Sequence, residues 1–136
     1  MEQQLQQEVL YRSTIQKSVL VSAVLNLSQN RVLSIESKHP FLVNQLNLPT
    51  VDEFLSKETD LTLLVKDRSS IRELFDRDYL LSQFSQGTHT LHITRESYIL
   101  EKTPLWNEVT ITLSGETVSG DVFAVYFADD ISISEA

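Results

Sequence analysis

Residues 122–128 read VFAVYFA, and residues 20–27 read LVSAVLNL. Both stretches are apolar at nearly every position, so strands built from them carry apolar side chains on both faces. Such a strand belongs in the middle of a sheet, whereas a strand with one polar face can lie near an edge. We therefore predict that the first and last strands of the chain pair at the centre of an antiparallel sheet.

Three further strands are predicted from the alternation of apolar and polar residues. They cover residues 31–36, 88–96 and 106–113. Together with the central pair they make a sheet of five strands. The predicted fold is α+β, with short helices on one face of this five-stranded antiparallel sheet and an N-terminal helix on the other.

Short helices are predicted between the second and third strands, in residues 41–86. Residues 50–53 read TVDE, a capping box in which the Thr hydroxyl and the Glu carboxylate satisfy free amides of the first helical turn. Residues 70–73 repeat this signature. Asp76 is placed to cap a last helix, and Gly87 is placed to end it in a left-handed conformation.

The face of the sheet that points away from the short helices needs a cover. Residues 2–17 contain no Gly or Pro and are apolar at roughly helical spacing, which predicts an amphipathic helix that is one candidate for this role. A second protomer is another candidate, and Trp106 would lie beneath either cover. We hypothesise a homodimer whose contact face includes Leu5, Val9, Ile15 and Trp106.

Composition excludes several classes of function. The chain has 136 residues, no cysteine, and 19 acidic against 11 basic residues, for a net charge of −8. This length fits a single domain, and the charge has the wrong sign for nucleic acid or anionic lipid, so neither nucleic acid nor membrane is expected as a partner. No window approaches the ~18 apolar residues of a membrane span, and the first residues lack signal-peptide features. We predict a cytoplasmic protein.

No catalytic or metal-binding motif stands out. His89 and His92 differ by an odd number of positions, so on one strand they point to opposite faces and cannot chelate one ion. The sequence contains no glycine-rich phosphate loop and no nucleophile elbow. We predict no catalytic residue, no metal site and no cofactor.

Five aromatic residues of the helical segment have two possible roles, as the lining of a ligand pocket or as part of the core. They could line a cavity for a small molecule of unknown identity between sheet and helices, or they could fill the core themselves, and the sequence leaves both open. The five are Phe41, Phe54, Phe75, Tyr79 and Phe84.

Several short motifs, taken in order, resemble PAS-like segments of Firmicute multidomain signalling proteins. Residues 25–31 (LNLSQNR), 40–42 (PFL), 50–54 (TVDEF) and 120–124 (GDVFA) carry the resemblance, which covers most of residues 11–132. Further matches are Leu80-Leu81, Phe84, Gly87 and the pair Asp130-Ile131. Residues 94–104 depart from the family because they lack the Arg-Trp pairing of its penultimate strand.

The resemblance implies a non-catalytic sensory or regulatory domain. In the similar proteins such segments accompany GGDEF (diguanylate cyclase) or EAL (phosphodiesterase) output domains, and neither signature occurs in this chain. We therefore expect the input module of a cyclic-di-nucleotide signalling protein, in which Asp130 and Ile131 form the junction to a C-terminal output domain. The implied division is an N-terminal helix in residues 1–18, a PAS-like domain in 19–132, and the start of a linker in 133–136.

Two alternatives remain at this point. A purely structural dimerisation or protein-interaction module would have a filled core and no ligand response. A small NTF2-like α+β enzyme would need an inward-facing acid–base pair, and the sequence singles out none. The helices between the second and third strands favour the PAS-like interpretation, because the NTF2-like fold begins with its long helices.

Overall fold

A computed structural model describes residues 19–66, 75–100 and 102–131. Its strands are β1 (Val19–Asn26), β2 (Arg31–Glu36), β3 (Thr62–Val65), β4 (Thr90–Leu100), β5 (Thr103–Gly115) and β6 (Val122–Asp130). Its helices are α1 (Pro40–Leu46), α2 (Val51–Leu61) and α3 (Arg77–Ser85). The described residues therefore form an α+β fold.

The six strands form one antiparallel sheet in the order β2-β1-β6-β5-β4-β3. The first and last strands lie side by side as predicted, with Ala23 opposite Tyr126 and Leu25 opposite Ala124. β1 and β6 are buried at most positions, which explains why both of their faces are apolar.

The described part of the chain contains six strands, so the prediction of five was wrong. β3 follows α2 directly and pairs with the outer side of β4. Its four residues are too few to establish a period of two, and Leu63 and Leu64 are both exposed, so no alternation marks the strand. Helical signals surround these four residues, and the sequence therefore predicts helix there.

The helix caps follow the sequence. The Thr50 side chain accepts a hydrogen bond from the Glu53 amide, which confirms Thr50 as the N-cap of α2. The Glu53 carboxylate accepts from the Thr50 hydroxyl, not from the free amide that the capping box predicts. Asp76 caps α3, and Gly87 follows that helix with a φ of 95°. The second capping signature, at residues 70–73, lies outside the described residues.

The main core lies between the sheet and the helices. Val109, Ile111 and Leu113 of β5 point into it, as do Ala124 and other small or apolar residues of the central strands. Trp106 is half-buried and alternates with these core positions, so it lies on the opposite face of β5. The predicted N-terminal helix, with Leu5, Val9 and Ile15, lies outside the described residues, so the dimer face stays a prediction.

Candidate functional site

A group of polar side chains lies inside the core, between α2 and the sheet. We call it the interior polar cluster and define it as Glu58, Arg95, Ser97, Asn107 and Tyr126. Each of these residues is 1% exposed or less. Buried polar groups are costly unless they are hydrogen-bonded, so the bonding of each member decides whether the cluster is stable.

Arg95, on β4, is the centre of the interior polar cluster. Its Nη2 donates to Glu58 Oε2 at 2.9 Å, and its Nη1 donates to Thr62 Oγ1 at 3.0 Å and to the Glu58 carbonyl at 3.3 Å. Its Nε donates to Asn107 Oδ1 at 3.0 Å. The guanidinium therefore joins the end of α2 to both β4 and β5.

Glu58 and Tyr126 complete the charged part of the cluster. The Tyr126 hydroxyl of β6 donates to Glu58 Oε2, the same oxygen that accepts from Arg95. Asn107 Nδ2 donates to Ser97 Oγ and to the Leu105 carbonyl, both at 3.0 Å. One carboxylate from the helix layer is thus bound by donors from two strands.

Charge and burial shift the ionisation of two members. Burial by itself would lower the pKa of Arg95, but the neighbouring Glu58 carboxylate and Tyr126 raise it by more, so the guanidinium stays charged. Burial raises the pKa of the Tyr126 hydroxyl well above its ordinary value; Arg95 opposes this increase and Glu58 adds to it. Tyr126 is therefore a neutral donor over the ordinary pH range.

Two of the aromatic residues proposed as pocket lining enclose the interior polar cluster. The Phe54 ring meets the Tyr126 ring edge-on with centroids 5.0 Å apart. The Phe75 ring centroid is 6.0 Å from that of Tyr126 and 5.5 Å from Arg95 Cζ, a cation–π distance. Both phenylalanines are buried, at 0% and 5% exposure.

The other three aromatic residues pack elsewhere against the core. Phe41 on α1 and Tyr79 on α3 are half-buried and pack against the edge of the core. Phe84, also half-buried, is so close to Gly115 that a β-carbon there would lie 3.0 Å from the ring. The structure thus brings together Phe54 and Phe75 around Tyr126 and places Phe41, Tyr79 and Phe84 elsewhere.

The predicted output junction is connected to the interior polar cluster through β5. Asn107, which accepts from Arg95 Nε, lies directly opposite Asp130 in the β5–β6 pairing. The Ile131 amide donates to the Trp106 carbonyl at 3.3 Å, so the pairing continues one residue beyond β6. Asn107 therefore links Arg95 to the β5 position that lies opposite Asp130.

An open depression of about 400 Å³ lies on the surface beside α2. It is lined by Asp52, Ser56, Thr59, Asp60, Phe75, Asp76 and Arg77. Arg77 Nε lies 3.3 Å from Asp52 Oδ1, and Phe75 borders both this depression and the interior polar cluster. Three carboxylates against one guanidinium make the depression acidic.

The histidines take part in ordinary contacts. His92 Nδ1 lies 3.2 Å from Thr110 Oγ1 and 4.0 Å from Glu108 Oε1, on the exposed side of β4. His89 stacks edge-on against Phe84. Within residues 19–66, 75–100 and 102–131, no three His, Asp or Glu side chains are grouped so that they could hold a metal ion.

The interior polar cluster is not among the predicted sites, although two features of the sequence indicate it. Glu58 occurs four positions after Phe54 and three after Leu55, on the buried face of α2. Arg95 is two positions from Ile93 and two from Ser97, so all three lie on the same buried face of β4. A charged residue at a core position of each element indicates a buried ion pair, so an inward-facing acidic and basic pair does exist in this chain.

Comparisons with known proteins identify a fold but no family. No protein-family model matches the sequence, and no curated protein matches it. Twenty-four solved chains match. One is the N-terminal domain of a diguanylate cyclase with a PAS/PAC sensor from Marinobacter aquaeolei.

That match covers 85% of this chain and 98% of the other, with a TM-score of 0.51 and 13% sequence identity. At this identity the likeness concerns the fold alone, which is consistent with a PAS-like domain. Among the described residues no helix is long and apolar enough to cross a membrane.

Proposed function

We propose that this chain is a non-catalytic, PAS-like sensory or regulatory domain, the input module of a bacterial cyclic-di-nucleotide signalling protein. The observation that supports it is the fold, in which first and last strands pair beneath a helix layer. A similar fold occurs in the N-terminal domain of a diguanylate cyclase with a PAS/PAC sensor. By this proposal a GGDEF or EAL output domain follows the C-terminal end of β6.

The proposed mechanism is a shift between two packings of the helix layer on the sheet. A ligand or partner that prefers one packing shifts the population towards it. The hydrogen bonds from Glu58 to Arg95 and from Arg95 to Asn107, which lies opposite Asp130, give such a shift a physical route to the junction. Asp130 and Ile131 then pass the change to the output domain.

A chimera tests this proposal. The chain is joined through Ile131 to the GGDEF domain of a diguanylate cyclase whose own input domain has been removed, and cyclic di-GMP synthesis is measured. We expect Asn107→Ala, which breaks the route, to change the rate by about fivefold or more, the lower end of typical allosteric coupling.

Val118→Ala is the matched control, because Val118 is 91% exposed in the turn between β5 and β6. Its rate should equal that of the unaltered chimera. Equal rates in all three chimeras and in the isolated output domain would refute an input role for the chain.

The proposed partners are a second copy of the chain and the output domain, in the cytoplasm. Sedimentation at high protein concentration tests dimerisation, with Trp106→Arg as the variant expected to dissociate the dimer. A monomer at every concentration contradicts this part of the proposal and leaves the chimera test unaffected.

A second candidate function is a structural dimerisation or interaction module without a ligand. The observation that favours it is the filled interior, where Phe54, Glu58, Arg95 and Tyr126 are each 1% exposed or less. Native mass spectra and a thermal-shift screen against metabolites and nucleotides separate the two. A co-purifying mass or a reproducible rise in Tm supports a sensor, and an unchanged apo dimer supports the module.

A further inference from the structure

In the charged part of the interior polar cluster, donors on the sheet bind a carboxylate that comes from a helix. Two donors on the sheet, Arg95 Nη2 and the Tyr126 hydroxyl, converge on one oxygen, Glu58 Oε2. The donors belong to β4 and β6, whereas the carboxylate comes from α2. Convergence of a guanidinium and a hydroxyl on one oxygen is a strong, charge-assisted mode of carboxylate recognition.

The donors are held in place by contacts that do not involve the Glu58 carboxylate. Arg95 Nε donates to Asn107, and Nη1 donates to the hydroxyl of Thr62. The Tyr126 ring is flanked by Phe54 and Phe75. The sheet would therefore keep the guanidinium and the hydroxyl oriented after loss of the Glu58 side chain.

We propose that the sheet carries a binding site for a small monocarboxylate, formed by Arg95 and Tyr126 and enclosed by Phe54 and Phe75, and that Glu58 is its built-in ligand. Truncation of Glu58 to Ala removes Cγ, Cδ and both carboxylate oxygens. These are the same heavy atoms as those of acetate. The vacated space would therefore match acetate in size, charge and hydrogen-bonding capacity.

The chemistry of the vacated site favours an anion. Arg95 is fully buried, and a guanidinium cannot lose its charge at ordinary pH. A buried charge without a partner is strongly unfavourable, so an anion that reaches it is bound. In the unaltered protein Glu58 is attached to α2 at a high effective concentration, so a diffusible acid does not displace it at millimolar levels.

This assignment changes how the domain would respond to a signal. The interior site is occupied by part of the chain, so an external acid could enter it only after Glu58 has left Arg95 and Tyr126. The carboxylate site is thus a docking device for α2, whichever output the domain serves. Its test does not depend on the proposed signalling function.

Chemical rescue of Glu58→Ala tests the site. Thermal unfolding is followed in sodium acetate up to about 0.3 M, in sodium chloride at the same ionic strength, and in acetamide, a neutral molecule of the same shape. We expect acetate to raise the Tm of Glu58→Ala by about 3 °C or more above the values in chloride and acetamide. The unaltered protein should show equal Tm values in acetate and chloride.

Two matched variants define the binding groups. Glu58→Gln fills the site with a neutral side chain of equal size and should show no specific response to acetate. Glu58→Ala combined with Arg95→Met lacks the cation and should also show none. If Glu58→Ala is unfolded in buffer, recovery of its folded circular dichroism spectrum on addition of acetate is the expected result.

The proposal is overturned by any of three results. The first is an equal Tm of Glu58→Ala in acetate and in chloride or, if that variant is unfolded in buffer, equal recovery of its circular dichroism spectrum in the two salts. The second is an acetate-specific rise in the Tm of the unaltered protein that equals the rise in Glu58→Ala. The third is a full acetate-specific rise in Tm in Glu58→Ala combined with Arg95→Met, which would place the bound acid away from Arg95.

Discussion

The two ends of the helix-facing side of the sheet are built differently. At one end Leu25, Ala124 and Leu113 form a row across three strands, and all are 2% exposed or less. At the other end Asn107 and Arg95 are paired across β5 and β4, equally buried. The apolar end requires shape and volume, which many side chains supply, whereas the polar end requires particular partners at particular atoms.

The largest effect is expected from breaking the ion pair at the polar end. Arg95→Met removes the guanidinium and leaves the Glu58 carboxylate buried beside the Tyr126 hydroxyl, a neutral donor. We expect the free energy of unfolding to fall by about 3–5 kcal/mol, the usual cost of stranding one member of a buried pair. Urea denaturation followed by circular dichroism measures it.

The double variant Glu58→Met with Arg95→Met is the control for this loss. It removes both charges and fills their space with apolar atoms, so it should be more stable than Arg95→Met alone. A double variant that is less stable than Arg95→Met would show that Glu58 stabilises the protein even without Arg95, which would contradict a cost from the stranded carboxylate.

The apolar end should respond to loss of volume. Leu25 is fully buried in β1, and Leu25→Ala is expected to lower the free energy of unfolding by about 3 kcal/mol, from lost burial and the cavity left behind. Leu25→Met, which nearly conserves volume, should cost less than about 1.5 kcal/mol. Equal losses in the two variants would mean that the apolar end requires the particular shape of Leu25 and not only its volume.

These two ends also differ in what the sequence predicts. Alternation in β5 and the doubly apolar β1 and β6 were sufficient to predict the central strand pair, because burial of apolar surface follows periodicity. The capping residue Thr50 was equally predictable, because its partner Glu53 lies only three positions further along the chain. Non-directional packing and local hydrogen bonds therefore account for most of the fold that could be predicted.

The contacts of the polar end could not be predicted from the sequence. Glu58 and Arg95 are 37 positions apart, and Tyr126 is 68 positions from Glu58. Each residue could be assigned to a buried face by spacing, but no pattern states that the three faces meet at one carboxylate. The register of β4 against β5 and the position of α2 over the sheet decide that, and both are long-range properties.

Ionisation of Tyr126 gives the next effect in size. Its pKa is raised well above the ordinary value in the folded state, so above pH ~10 the unfolded chain loses this proton while the folded chain keeps it. The contribution to stability is thus complete below pH ~10 and is lost as pH rises, by up to about 1.4 kcal/mol per pH unit. Urea denaturation at several pH values measures the slope.

Tyr126→Phe separates this contribution from the titration of other groups. The variant lacks the phenol, so its stability should fall less steeply above pH ~10 than that of the unaltered protein. Parallel curves would mean that Tyr126 ionises equally easily in both states, which would contradict its burial beside Glu58.

The smallest effect is expected at the margin of the polar end. Ser97→Ala removes one acceptor of Asn107 Nδ2, which still donates to the Leu105 carbonyl, so a loss of about 1 kcal/mol is expected. The same substitution in the Arg95→Met background should cost less if the hydrogen bonds act as one network. Equal costs in both backgrounds would make Ser97 and Asn107 a separate pair, and the polar end would then consist of independent contacts like the apolar one.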